Sequence, residues 1–190
     1  YCWYDDKKNL RKISKQDDMK GSYLGPEYSQ DQIEKDLKDL GAVFKTLSEE
    51  HLIEKVSSDL ANNDAIGWFQ GRMEFGPRAL GSRSIIGNPQ SSEMQKNLNL
   101  KVKYRESFRP FAPSVLKEDL SEWFDMDCES PYMLLVAKIN QNKQIEMTRD
   151  EKNLFGIDKL NIRRSSVPAV THVDYSARIQ TVTKEKNERY

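Results

Sequence analysis

Apolar residues along this chain come in short groups separated by charged stretches, and their spacing predicts a succession of small elements. After Ser29, the positions Ile33, Leu37 and Leu40 recur at the three-to-four-residue period of a helix stripe. Ser29 with Gln32 three residues on fits a capping box, and Gly41 suits the position just past the helix end. Ser48 opens a second helix carrying Leu52, Val56 and Leu60 on one face. AVFKTL reads as a short strand and AIGWFQ, residues 65–70, as a stronger one. SSEMQKNLNLK reads as a helix with Met94 and Leu98 inward. RPFAPSVL, from Arg109, reads as a strand that its two prolines confine to an edge or make irregular. A short helix, EDLSEWF, precedes the apolar strand PYMLLVAKI. The stretch 140–165 is polar, without a clean period, and PAVTHVDYSARIQTV closes with the alternation of one or two strands. Strands and helices are mixed along the chain, which predicts an α/β or α+β domain with a twisted mixed β-sheet flanked by helices.

Composition narrows this picture. The 190 residues contain 37% hydrophobic and 32% charged positions, enough for a packed core. Thirty basic residues balance thirty acidic ones, so no overall field draws nucleic acid and any basic site must be local. Cys2 and Cys128 are too few for a disulfide framework, and His51 and His172, the two histidines, form no HExxH motif. No metal site is read here. No apolar run reaches membrane-spanning length, so no membrane association is expected and a cytoplasmic setting is the default. Residues 1–20 read as a charged, flexible lead-in or boundary segment. Tyr1 is no initiator methionine and no signal-peptide pattern follows it, so the sequence reads as part of something longer.

Charge is unevenly placed. GRMEFGPRALGSRSI, residues 71–85, combines three glycines with Arg72, Arg78 and Arg83. It is neither a Walker A loop nor a dinucleotide fingerprint. Its guanidiniums offer planar, bidentate donors to phosphate or carboxylate, although a glycine-rich surface turn would also carry them. NLKVKYRESFRPFAPS adds Lys101, Lys103, Arg105 and Arg109 against Glu106. An exposed helix end is the plainer reading there. In VTHVDYSARIQT, a period of two puts Ser176, Arg178 and Gln180 on one strand face, as in a sheet-borne ligand site or an ordinary solvated face. His172, Asp174 and Ser176 do not make a hydrolytic relay along one strand, and no serine stands in a nucleophile elbow.

These motifs, in order, carry a resemblance. GPEYS, GWFQGRMEFGPRALGSRSI, RESFRPFAPSVL, SPYMLL and PAVTHVDYSARIQTV resemble the C-terminal region of the O-carbamoyltransferases of the nodulation and antibiotic-biosynthesis type. The resemblance implies that residues 21–190 are a YrdC-like domain binding carbamoyl phosphate and nucleotide. It implies a two-domain enzyme in which this half takes carbamoyl phosphate and ATP, with Mg²⁺ accompanying the ATP, and forms carbamoyl adenylate. An amino-terminal ASKHA-like domain of the threonylcarbamoyl-transfer (Kae1-like) type, outside this chain and holding an iron-type metal, would complete transfer to a hydroxyl acceptor. Position by position, Arg78, Lys103, Arg109 and Arg178 fall on the carbamoyl phosphate ligands, with catalytic roles through charge and positioning. His172 and Arg105 line the same pocket. Ser176 matches the serine of a polar serine–x–asparagine motif, whose asparagine is replaced here by Arg178. Arg72, Glu74 and Arg83 shape the loop. Two other readings remain open at this point: a YrdC-like module binding RNA, disfavoured by the net charge, and a non-catalytic docking domain.

Overall fold

A computed structural model of the protein describes residues 17–190. Residues 1–16, which include Cys2 and most of the charged lead-in, lie outside the described residues.

The two N-terminal helices are made by their ends. Helix α1, Gln30–Asp39, begins where the Ser29 side chain accepts from Gln32 N. It ends in a Schellman motif: Ala42 N donates to Leu37 O and Gly41 N to Lys38 O, with Gly41 at φ +69°. Helix α2, Glu49–Ala61, is capped by Ser48 and closes the same way over Asn63, at φ +66°. Neither helix contains a fully buried residue. The AVFKTL segment between them is no strand: Val43 is fully exposed, and no other segment among the described residues pairs with it. β-branched residues make a strand only where a neighbouring backbone takes up the hydrogen bonds.

Strands β1, Ile66–Phe69, and β2, Arg83–Ile86, form an antiparallel hairpin whose connection is the glycine–arginine segment. Helix α3, Met94–Lys101, buries Met94 and Leu98 as the pattern predicts, together with Asn99. Strand β3, Ser114–Leu116, begins only after Pro113 and occupies a sheet edge. The short helix α4, Leu120–Trp123, precedes strand β4, Leu135–Lys138, the other edge. In the polar 140–165 stretch, Thr148 and Glu151 build a reciprocal capping box for helix α5, Arg149–Asn153, and helix α6, Ile157–Leu160, follows.

Strand β5, Ser176–Val182, is the centre of the three-stranded sheet, parallel to β3 and antiparallel to β4. A last short helix, α7, runs Lys184–Asn187. The fold is therefore α+β, with a mixed sheet flanked by helices and a separate hairpin. One face of β5 sends Ala177 and Ile179 into a core with Leu120, Phe124, Ile139, Val167 and Val170. Phe111 bridges this core to the smaller cluster of Met94, Leu98 and Ala169. Each wholly buried aliphatic side chain there contributes about 1.5–3 kcal/mol from its removal from water. The opposite face of β5 is left for polar chemistry. No helix among the described residues is long and apolar enough to cross a membrane.

Candidate anion site

The loop joining β1 to β2 is folded around a carboxylate. Glu74 is buried; its Oε1 accepts from Leu80 N at 2.6 Å and from Ser82 N at 2.7 Å. Its Oε2 lies 3.3 Å from Arg83 Nε, an ion pair whose geometry falls short of a hydrogen bond. Arg83 also donates to the Gly76 carbonyl. Arg72 donates to Gly25 O at 3.1 Å and lies 3.4 Å from Glu27. Two of the loop's three arginines thus hold the loop itself. Gly81 is required where it stands: its φ is +109°, and an added Cβ would meet the Tyr190 ring at 2.6 Å.

Arg78 is different. It is exposed and pairs with no carboxylate among the described residues. The loop tip that carries it is fixed to the sheet by Gln180, whose Nε2 donates to Leu80 O at 2.8 Å while its Oε1 accepts from Ser114 Oγ at 3.0 Å. Gln180, Arg178 and Ser176 share the polar face of β5, the alternation read from the sequence. Arg178 is partly buried, opposite Val136 of β4. Burial, and then the positive charge of Arg78, pull its pKa below the ordinary arginine value. Neither guanidinium has a described carboxylate partner.

Further along this face, Ser176 donates its hydroxyl to Asp174 Oδ1 at 2.7 Å, and His172 Nδ1 lies 3.0 Å from Ser176 Oγ. A turn, not a strand, makes this possible. Tyr175 sits at φ +65°, His172 N donates to Ser176 O and Tyr175 N to His172 O. The carboxylate meets the serine rather than the imidazole, so the order differs from a hydrolytic relay. Burial lowers the His172 pKa; Asp174 opposes this and Arg178 reinforces it.

The 101–110 segment is held by Asn99, which is completely buried. Its Nδ2 donates to Ser107 O at 3.0 Å and Arg109 O at 2.8 Å, and its Oδ1 accepts from Arg105 Nε at 2.5 Å. The Arg105 guanidinium also lies 5.0 Å from the Phe111 ring centre. Arg105 is thus engaged in fastening the segment. Arg109 is exposed, 2.8 Å from Glu106, and Lys103 is exposed without a described partner. Ser107, Phe108 and Pro110 border a cleft of about 490 Å³ whose far wall includes His172, Arg163 and Arg164. Arg164 is buried, donates to the carbonyls of Lys159, Leu160 and Ile162 at the end of α6, and leaves Nε without a partner.

The structure thus joins Ser176 to His172 by a hydrogen bond and puts Arg178 on the same strand face as Ser176, while Arg78 borders a separate hollow with Phe75, Leu80 and Tyr132. It sets Lys103, Arg105 and Arg109 on a segment bordering the cleft beside His172. Asn99 and Arg164 escaped the sequence reading: the first lies next to Leu98 in an ordinary helix pattern, the second in a stretch with no period. A roomier hollow of about 660 Å³, beside Asp125, Lys138 and Asp174, contains no arginine. Among the described residues no three His, Cys, Asp or Glu side chains converge as metal ligands do.

Comparison with known proteins agrees with this arrangement of motifs. Residues 57–190 match the family described as Carbamoyltransferase C-terminus, and the chain belongs to that family. It is 54% identical over 190 residues to a Synechocystis protein, sll1178, described as uncharacterized; the match covers 99% of this chain and 31% of that protein. It is 37% identical over 172 residues to the nodulation protein NolNO of Sinorhizobium fredii, covering 88% of this chain and 22% of the relative. It is 41% identical over 132 residues to the 3'-hydroxymethylcephem-O-carbamoyltransferase of Streptomyces clavuligerus, covering 70% and 21% respectively. The chain therefore spans less than a third of the length of these relatives.

Proposed function

We propose that this chain is the donor-binding part of a carbamoyltransferase. It takes carbamoyl phosphate with its phosphate between Arg78 and Arg178, and ATP beside it. The observation that carries this reading is the Gln180–Leu80 bond, which ties the loop bearing Arg78 to the strand face bearing Arg178, both arginines lacking a described acidic partner. Such a pair is costly unless a dianion lies between its members, and a phosphoryl group presents the paired oxygens that guanidiniums grip best. Ser176 and His172 continue the site along the strand, while Lys103 and Arg109 are exposed and available to a second phosphate group. Arg105 acts by holding their segment in place.

In this reading carbamoyl phosphate loses its phosphate to water, and the resulting carbamate oxygen attacks the α-phosphorus of ATP and displaces pyrophosphate. Both partners are anions. Fixed cations lower the cost of bringing them together and stabilise charge growing on the phosphoryl oxygens. No covalent nucleophile is needed; positioning and charge suffice. The described residues fit the phosphate groups. They offer no acidic cluster for Mg²⁺, which would arrive on the ATP phosphates. The fold of this part is proposed to be YrdC-like. The hydroxyl acceptor and the iron-type metal would belong to the ASKHA-like domain elsewhere in the longer protein, a division supported by the small share of each relative that this chain covers.

The test is a calorimetric titration of the full-length protein with carbamoyl phosphate, inorganic phosphate serving as control and an Arg178→Ala variant alongside. Saturable binding that favours carbamoyl phosphate and weakens at least ~10-fold in the variant supports the reading. Equal, weak responses to both anions, unchanged in the variant, would sink it.

A further inference from the structure

The Asp174–Ser176–His172 chain has a proton inventory that fixes the state of the imidazole. Ser176 Oγ owns a single hydrogen, and it is committed to Asp174 Oδ1 at 2.7 Å; the same oxygen also accepts Ser176 N at 3.1 Å. An ionised carboxylate can only accept, and the Ser176 hydroxyl foremost keeps the Asp174 pKa below its ordinary 3.8. Only lone pairs of Ser176 Oγ remain for His172 Nδ1, 3.0 Å away. Nδ1 must therefore bring the hydrogen. The neutral ring then carries its proton on Nδ1 and a bare lone pair on Nε2. Nε2 bonds no described residue, and the side chain lines the cleft with Arg163 and Arg164, while Arg178 stands two residues from Ser176 on the same face of β5.

We infer that His172 Nε2 is the hydrogen-bond acceptor for the amide –NH₂ of the carbamoyl group, and so the residue that distinguishes carbamoyl phosphate from other acyl phosphates. The inference rests on the donor-site reading above and adds to it. Guanidiniums supply donors only, which satisfies a phosphate but leaves an amide N–H without a partner. Acetyl phosphate places a methyl group where carbamoyl phosphate has –NH₂, with nearly the same volume and no hydrogen to give. Against a methyl group, Nε2 would be desolvated and unpaired, and sites built to bond a polar hydrogen reject analogues lacking it for this reason.

The experiment measures dissociation constants of both phosphates for the full-length protein by calorimetry, together with the ¹⁵N chemical shifts of the His172 ring. The wild type is expected to favour carbamoyl phosphate by ~10-fold or more, and His172→Leu to bind both within ~2-fold while keeping its affinity for acetyl phosphate. Ser176→Ala removes the partner of Nδ1, so the ring proton is expected to move toward Nε2 and the preference to shrink. The preference is also expected to collapse as acidification protonates the ring, taken as a ratio at each pH so that titration of the phosphates cancels. Asp174 and Arg178 act on this ring directly, and Glu93, Lys96, Arg163 and Arg164 face the same cleft. A preference that survives His172→Leu, or equal binding of both phosphates by the wild type, overturns the role of His172 while leaving the donor site standing. Binding of neither phosphate overturns both readings. Should His172→Leu fail to fold, the wild-type spectrum decides: a bare Nδ1 refutes the inference.

Discussion

Like charges placed side by side are an expense that a protein bears only where something uses them. Burial is the main cost at Arg178, and the positive charge of Arg78 adds to it. Truncating Arg178 to alanine should therefore leave stability unchanged or slightly raised while anion affinity falls; a urea midpoint measured beside the titration tests this directly. Arg83 lies in the same fifteen-residue segment and behaves oppositely. Its side chain is 32% exposed, and it stands against a Glu74 side chain that has no exposure at all. Arg83→Ala leaves a buried carboxylate with two amide donors and no counter-charge, a loss of about 2–3 kcal/mol in denaturant unfolding. Residue types alone do not separate these arginines. Their roles follow from which of them Glu74 reaches when the loop closes, and that depends on backbone donors at Leu80 and Ser82 that no side-chain pattern displays.

Elements differ in how openly the sequence announces them. Helices α1 and α2 begin at Ser29 and Ser48 because a capping serine works through its immediate neighbours, so a local reading finds it. The β5 alternation of Ser176, Arg178 and Gln180 against Ala177 and Ile179 was legible for the same reason: both faces have distinct jobs. The turn at 171–175 was not. Its polar and apolar residues alternate as a strand's would, and only the left-handed Tyr175 backbone turns His172 back onto Ser176. The segment from 103 to 109 is likewise organised from outside itself, by Asn99 on α3. Asn99→Ala should cost about 2 kcal/mol through unpaired carbonyls and lost packing. It should also speed hydrogen exchange from Ser107 to Arg109 well before the sheet opens; exchange unaltered there would refute this organising role.

Across the molecule, acidification is expected to weaken the fold in two separate windows. The folded pKa of His172 lies below the ordinary 6.5, so the unfolded chain takes up that proton first. Stability then falls as pH drops from about 6.5 towards the folded value, and this loss is complete below it. Asp17 and Asp174 have folded pKa values below 3.8, the former chiefly through the Tyr132 hydroxyl at 2.5 Å. Their contribution is full above that pH and disappears as pH falls through the folded values. Urea midpoints across pH 3 to 8 should show both slopes, and His172→Leu should flatten chiefly the upper one.

Of the three described strands of this sheet, the central one is the last to be synthesised. Ser114–Leu116 and Leu135–Lys138 each hydrogen-bond to β5 and not to one another. While residues 176–182 are still untranslated, both strands wait without a template, whereas the β1–β2 hairpin can already close on itself. Arg78 is thus made early, but its loop gains the Gln180 tether, and Arg178 takes its place on the sheet, only when the late strand slots between two waiting edges. On the proposed donor-site reading, a nascent chain stalled before that point is expected not to bind the anion, so affinity and the joining of these three strands would arrive in a single event of synthesis.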